Sequence, residues 1–264
     1  MMLHAQKTAS QGTHGPSIDR HTREWLLECL QGQYSAAMLY GSRARGDARA
    51  ESDFDLLQIV AQGPRSYSVG EVNITAYTSE HLRKLARRGS LFVRHLKDEG
   101  VPLTDEKAHL ETILGLYDEP SSYEPLKREL RVVLLVLARR GADGYADGAR
   151  KLAAFVARTA LYVRTAELGK PVFDVERAAD CAGRPALGPM LRQNAKPPLR
   201  GLLSHGSSLL NVDLHPSLIA AMPLDFESAA LWAGSNYPLA GSLLERVIAD
   251  ETTIDYTALT LPCT

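Results

Sequence analysis

Two apolar runs on either side of a polar segment are the feature that most restricts how this chain folds. The runs are YSAAMLY (34–40) and FDLLQIV (54–60). Short apolar runs bounded by Gly, Ser and Asp predict buried β-strands. The first run ends at Gly41-Ser42, and the second is entered through Asp53 and Asp55. The sequence therefore predicts a small turn and two carboxylates at the ends of buried strands.

The neighbouring segments complete a mixed α+β pattern. Residues 17–31 have helical spacing, and the alternation over 65–78 around Gly70 predicts a hairpin or two successive strands. Two further segments, 79–89 and 90–100, each begin at a Ser and end at a Gly, which is typical of short helices. The next residues, VPL, predict a brief strand.

After the Pro- and Ser-containing segment 118–125 the pattern becomes helical. Helices are predicted over the following ranges: 126–140, 147–168, about 199–211 and about 226–249. We therefore expect an α+β protein with a small mixed-sheet domain over 17–120 and an all-helical domain over 121–264. Residues 1–16 are rich in Gly, Ser, Thr and Gln, and we expect them to form a flexible tail.

The composition restricts the partners and the cellular compartment that we expect for this protein. The 30 Lys and Arg against 31 Asp and Glu leave a formal net charge of −1, so no overall field attracts nucleic acid or a membrane. The three cysteines are far apart and lack metal-site spacing, which favours a reducing cytoplasm. No apolar run is long enough to span a bilayer and no signal peptide is evident, so we predict a cytoplasmic protein without a membrane partner.

The two aspartates have the spacing of a metal site. Because Asp53 and Asp55 are two residues apart on a strand, their side chains project to one face. Two close carboxylates repel unless a cation lies between them, and Mg²⁺ takes one or two protein carboxylates together with water and phosphate oxygens. The Gly41-Ser42 turn allows backbone N–H groups to approach a phosphate, with a helix expected next. Arg43 and Arg45 follow in the intervening loop, where a cation can steady a triphosphate or face solvent.

The segment LYGSRARGDARAESDFDLLQIV contains, in order, an apolar strand, Gly-Ser, a polar loop, Asp-x-Asp and a second apolar strand. With this order it resembles the signature of the DNA polymerase β-like nucleotidyltransferase superfamily. That group includes minimal nucleotidyltransferases and aminoglycoside adenylyltransferases, and the resemblance extends over about residues 35–105. It implies that Gly41 and Ser42 hold nucleotide phosphates and that Asp53 and Asp55 ligate two Mg²⁺ ions. It also implies in-line attack by an acceptor hydroxyl on the α-phosphate of ATP or another nucleoside triphosphate, with release of pyrophosphate.

The chain departs from the family pattern at one position. The resemblance implies a third carboxylate on a later strand, and the central residue of EVNITAY is Asn73, which can ligate a metal but cannot take a proton. Glu71, two residues earlier, can replace it if the register differs by two; Asp98 and Glu99 are further alternatives. From the helical domain, Lys151 can supply a cation to the triphosphate or belong to a charged outer stripe.

Two functions stay open at this level. The first is a Mg²⁺-dependent transferase that moves a nucleoside monophosphate, most plausibly AMP, to a small molecule, a protein or an RNA end. The second is a nucleotide- or partner-binding regulator that keeps the fold without efficient transfer, resembling an antitoxin-like component. Asn73 favours the second, whereas Gly41, Ser42, Asp53 and Asp55 favour the first. Neither the residues nor the resemblance specifies the oligomeric state.

Overall fold

The chain is organised as two units. The computed structural model describes residues 18–105, 108–192, 195–214 and 222–249. The first unit combines the chain up to Thr78 with Asp98–Leu110, and the second combines Ser79–Lys97 with the chain from Glu111 onward. The expected tail, residues 1–16, lies outside the described residues.

The first unit is built on a five-stranded sheet. Its strands are β1 (Tyr34–Tyr40), β2 (Phe54–Val60), β3 (Arg65–Val69), β4 (Val72–Thr78) and β5 (Val101–Asp105), in the order β3-β4-β2-β1-β5. β2 and β4 are parallel, whereas the other neighbouring pairs are antiparallel. The predicted mixed sheet and the α+β class are therefore confirmed.

One face of the sheet is covered by helix α1 (Arg20–Glu28). Asp19 caps this helix by accepting a 2.9 Å hydrogen bond from the backbone N–H of Thr22. Leu26 is fully buried in a cluster whose sheet members are Ala37, Leu39, Leu56, Val72, Ile74 and Leu103. Alternate residues of each strand point to opposite faces, so this apolar face leaves the intervening residues, Asp55 among them, on the other side.

The edge strand β3 is held by a polar network. Tyr67 donates its hydroxyl hydrogen to Gln58 Oε1 at 2.7 Å, and Gln58 Nε2 donates to the carbonyl of Gln31 at 2.8 Å. Gln58 is fully buried, and a buried amide without partners would cost free energy. The network therefore ties the edge strand β3 to Gln58 of β2 and to the segment before β1.

Helices make up most of the remaining chain. In chain order they are the short α2 (Ser42–Arg45) of the first unit, then α3 (Ser79–Arg87), α4 (Leu91–Glu99), α5 (His109–Leu114), α6 (Glu124–Leu137), α7 (Ala146–Glu167), α8 (Val175–Cys181), α9 (Leu187–Met190), α10 (Leu199–Leu210), α11 (Phe226–Asn236) and α12 (Pro238–Ile248). No helix within the described ranges combines the length and the hydropathy required to span a membrane.

The contacts of α3 and α4 place the unit boundary differently from the predicted domain boundary near residue 120. The backbone N–H of Asp118 donates to the carbonyl of Ala86 at 3.2 Å, and Arg94 pairs with Glu119. The ring of His95 stacks on Phe173 with the centroids 4.6 Å apart. These helices follow the strands in sequence, but their packing joins them to the helical unit.

The single helical pattern predicted over 226–249 is two helices. Pro238 begins α12 directly after Tyr237, because proline lacks the N–H that a continuing helix needs. A Cβ built on Gly241 would lie 2.3 Å from the Cα of Gly234. This close approach between α11 and α12 requires glycine at the contact.

The N-terminus of α12 is capped by a buried carboxylate. Glu129 of α6 is only 6% exposed, and its Oε2 accepts a 3.0 Å hydrogen bond from the backbone N–H of Ala240. This N–H belongs to the first turn, where the helix supplies no acceptor of its own. A negative charge at this end is also favourable to the helix dipole.

We predict that Glu129→Ala lowers the free energy of unfolding by about 1–3 kcal/mol, because the N–H of Ala240 then stays buried without an acceptor. Urea titration followed by circular dichroism measures the loss. Glu129→Gln keeps an acceptor oxygen and should lose less. Glu28→Ala, at an exposed position, is the matched control, and an equal loss in both alanine variants would contradict the capping role.

Candidate functional site

The sheet brings the sequence-predicted residues to one end. β1 runs antiparallel to β2, so the end of β1 lies beside the start of β2; β4 runs parallel to β2 and starts at the same end. Tyr40, Asp55 and Asn73 are paired residues and form a row across the three strands. Tyr40 Oη lies 3.4 Å from Thr75 Oγ1, which places this row on the face opposite helix α1.

Gly41 lies directly against Asp55. Its φ of 78° and ψ of −158° belong to a region that only glycine adopts without strain. A Cβ built on Gly41 would be 2.9 Å from Asp55 Oδ2, closer than real Cβ contacts come. The turn therefore gives a backbone segment close access to a carboxylate, which is an arrangement that can hold a phosphate next to a metal ligand.

Ser42 begins helix α2, which has only four residues and ends at Gly46. The carbonyl of Ser42 accepts hydrogen bonds from the N–H groups of Gly46 and Asp47 at 3.0 and 3.2 Å. The helix expected after the turn is therefore present, but a single turn contributes little helix dipole.

Asn73, a member of this row, forms a hydrogen bond with Asp53. Asn73 Nδ2 donates to Asp53 Oδ2 at 3.2 Å, and Ser68 Oγ of strand β3 donates to Asn73 Oδ1 at 2.9 Å. Asp55 is the paired neighbour of Asn73 on β2. Asp53 is therefore hydrogen-bonded to the amide of Asn73, and Asp55 is the strand neighbour of Asn73 on the same face of the sheet. That the two aspartates form a metal site stays a prediction.

Arg43 holds the loop that carries Asp53. Its Nε and one terminal nitrogen lie 3.1 and 2.7 Å from the carbonyl oxygen of Ser52, and the same terminal nitrogen lies 3.3 Å from that of Ala50. The guanidinium also lies 4.4 Å from the centroid of the Phe54 ring. From the sequence, Arg43 was expected either to steady a triphosphate or to face solvent; its contact with the loop was not predictable, because the path of a loop is not readable from residue spacing.

Arg45 is engaged in ion pairs within the first unit. It contacts Asp47 at 2.9 Å and Glu99 at 2.7 Å. Burial by itself would lower the pKa of Arg45, but the hydrogen bonds that the guanidinium donates to Asp47 and Glu99 raise that pKa above its ordinary value. The guanidinium is therefore charged at any working pH, and the carboxylate of Glu99 is committed to it.

Glu71 belongs to the first unit and Lys151 to the second. Glu71 is exposed in the turn between β3 and β4, one residue before the strand that was predicted to contain it. Its carbonyl accepts a 2.9 Å hydrogen bond from the N–H of Phe54, which ties the turn to the start of β2. Lys151 belongs to α7 of the second unit, and its Nζ lies 3.3 Å from Asp147 Oδ2 on the same helix.

The donor set fits magnesium better than a softer metal. Within the described parts of the chain, no group of three or more His, Cys, Asp or Glu side chains is placed to bind a metal. The site instead offers two aspartates and a backbone turn. Mg²⁺ needs only one or two carboxylates when phosphate oxygens and water complete its shell, whereas Zn²⁺ prefers closed sets of His and Cys.

No protein-family model matches the chain, and no curated protein matches it. The functional interpretation therefore depends on the residues and on their geometry.

We predict that Gly41→Ala lowers the free energy of unfolding by about 2–4 kcal/mol, since it combines backbone strain with a clash at the Asp55 carboxylate. Gly169→Ala is the matched control, because Gly169 has a φ of +70° and no atom within 4 Å of an added Cβ. That variant should lose about 1–2 kcal/mol from strain alone. Urea titrations of both variants measure the difference; equal losses would mean that Gly41 and Asp55 are not in close contact.

Proposed function

We propose that this protein is a Mg²⁺-dependent nucleotidyltransferase that transfers a nucleoside monophosphate, AMP from ATP, to a hydroxyl-bearing acceptor. One observation carries the proposal: the backbone of Gly41 lies against the carboxylate of Asp55 at the sheet end where Asp53 also lies. Nucleotidyl transfer needs a backbone turn that can accept a phosphate and two carboxylate ligands for Mg²⁺ in one place.

In the proposed reaction the chain's residues bind and orient. Gly41 and Ser42 would receive the triphosphate, while Asp53 and Asp55 would hold the cation. Arg43 would keep the loop and Asp53 in position. When bound, the metal supplies charge neutralisation at the α-phosphate and at the departing pyrophosphate. A bond forms between the acceptor oxygen and the α-phosphorus as the bond to the pyrophosphate oxygen breaks, and the acceptor proton is released.

The group that accepts this proton is where the site differs from the family pattern, which has a carboxylate at the position of Asn73. Asn73 has no basic atom, and its amide already donates to Asp53 and accepts from Ser68. Under this proposal Asn73 is not the base, so the proton passes to another group of this chain, to water or to a group brought by the acceptor. The exposed carboxylate of Glu71 stays a candidate for this role.

Asn73 also favours a second candidate function. A nucleotide- or partner-binding regulator needs Gly41, Asp53 and Asp55 for binding but needs no group to activate an acceptor. Such a protein would bind ATP and Mg²⁺ through the same residues and would release no pyrophosphate.

We predict that Asp53→Asn and Asp55→Asn each reduce transfer of label from α-³²P-ATP by about a hundredfold or more, because each removes a charged metal ligand. The assay contains Mg²⁺ and a panel of hydroxyl acceptors, and pyrophosphate is measured in parallel. Asp180→Asn, at an exposed position of α8, should transfer at the unmodified rate and is the matched control.

Transfer that survives in Asp53→Asn or Asp55→Asn would overturn the assignment of the metal ligands. ATP binding that depends on both aspartates, without pyrophosphate release for any acceptor, would select the regulator instead. The assay is repeated with each labelled triphosphate, so that a preference for another nucleotide is separated from inactivity.

A further inference from the structure

A cavity of about 170 Å³ lies within the second unit, between the end of α3, the start of α4 and the segment that leads into α6. All of the residues that line it belong to this unit. Buried residues form its base, and exposed residues form its mouth. Those at the base include Leu85, Leu91, Tyr123 and Leu126, and those at the mouth include Arg88 and Ser122.

The two walls of the cavity are joined by main-chain contacts. Gly89 has a φ of +64°, and a Cβ built on it would lie 2.5 Å from Pro120 Cδ and 2.6 Å from the carbonyl oxygen of Asp118. The N–H of Asp118 donates to the carbonyl of Ala86 at 3.2 Å. The segment before α6 is therefore fixed against the turn between α3 and α4, so a ligand would enter a preformed space.

The base of the cavity favours an apolar group of the size of one ring. Leu85, Leu91 and Leu126 are hydrocarbon, and the buried Tyr123 donates its hydroxyl hydrogen to Glu119 Oε1 at 3.4 Å. An engineered apolar cavity of about 150 Å³ binds benzene. The volume of this cavity is therefore enough for one aromatic ring with a small substituent.

The mouth of the cavity favours an anion. Among the lining residues, all of which lie in the described part of the chain, only Arg88 is charged. It ends a stretch, 79–88, that has four basic side chains and one acidic side chain. On the facing segment, Glu119 does not line the cavity and is paired with Arg94. A guanidinium on an exposed residue at the mouth can pair with a carboxylate.

We propose that this cavity is a binding site for a small aromatic carboxylate. The ring would lie against Leu85, Leu91 and Leu126, and the carboxylate would pair with Arg88. The proposed nucleotide and metal residues of the first unit take no part in this site. Binding is measured without Mg²⁺ or nucleotide, so its outcome is independent of the proposed transferase activity.

The test compares benzoate with toluene, which has the same ring and no charge. NMR titration of the full chain with methyl-labelled leucines should show that both probes shift the resonances of Leu85, Leu91 and Leu126. Arg88→Ala should weaken benzoate binding about tenfold and leave toluene binding unchanged, because only the charged partner is lost. Arg87→Ala is the matched control, since Arg87 is the adjacent exposed position and does not line the cavity; it should bind both probes as the unmodified chain does.

A filled cavity tests the position of the ring. Leu126→Phe enlarges a side chain at the base and should exclude both probes, and Leu85→Phe is a second filling variant. Circular dichroism identifies a variant that fails to fold, in which case the other one decides.

Four outcomes would overturn the proposal. The first is binding of neither probe, or shifts confined to other leucines. The second is toluene binding without benzoate binding. The third is a benzoate affinity that is unchanged in Arg88→Ala or lowered equally in Arg87→Ala, because the carboxylate would then not pair with Arg88. The fourth is binding that survives in a folded filling variant, because the ring would then lie elsewhere.

Discussion

The register of β2 between an antiparallel and a parallel neighbour determines where every proposed site residue lies. Tyr40, Asp55 and Asn73 are paired across three strands, and a slip of one residue in either pairing would turn Asp55 or Asn73 to the opposite face. The apolar residues of β2 resist such a slip, since Leu56 is fully buried under α1. Packing on one face of the sheet therefore fixes the carboxylate on the other.

Backbone contacts refine this arrangement at three points. The conformation of Gly41 brings the turn against Asp55, Arg43 binds the carbonyl of Ser52 just before Asp53, and the carbonyl of Glu71 receives the N–H of Phe54. Each of these contacts is to main-chain atoms. The segments that carry Gly41, Asp53 and Asn73 are thus individually fixed by these contacts, which is the preorganisation that a metal site would need.

The strands were predictable because their signals are local. Apolar runs bounded by Gly and Asp predicted β1 and β2 with the bounds that the structure has. The alternation around Gly70 predicted a hairpin or two successive strands, and the structure has the β3–β4 hairpin there. The pairing of Ser68 with Asn73 was available from the same hairpin, since a two-residue turn at Gly70-Glu71 opposes them. The role of Arg43 was not available, because its partners are carbonyl groups whose positions depend on the loop path. The membership of α3 and α4 in the helical unit was equally hidden, since it depends on contacts with residues beyond 110.

The central claim is that a divalent cation and a nucleotide bind at the sheet end that carries Gly41 and the two aspartates. A crystal structure with Mn²⁺ and a non-hydrolysable α,β-methylene analogue of ATP tests it most directly, because anomalous scattering locates the metal independently of the protein model. We predict an anomalous peak in contact with Asp53 and Asp55, with the triphosphate against the backbone of Gly41 and Ser42. A peak away from both aspartates, or a nucleotide bound elsewhere on the chain, would contradict it.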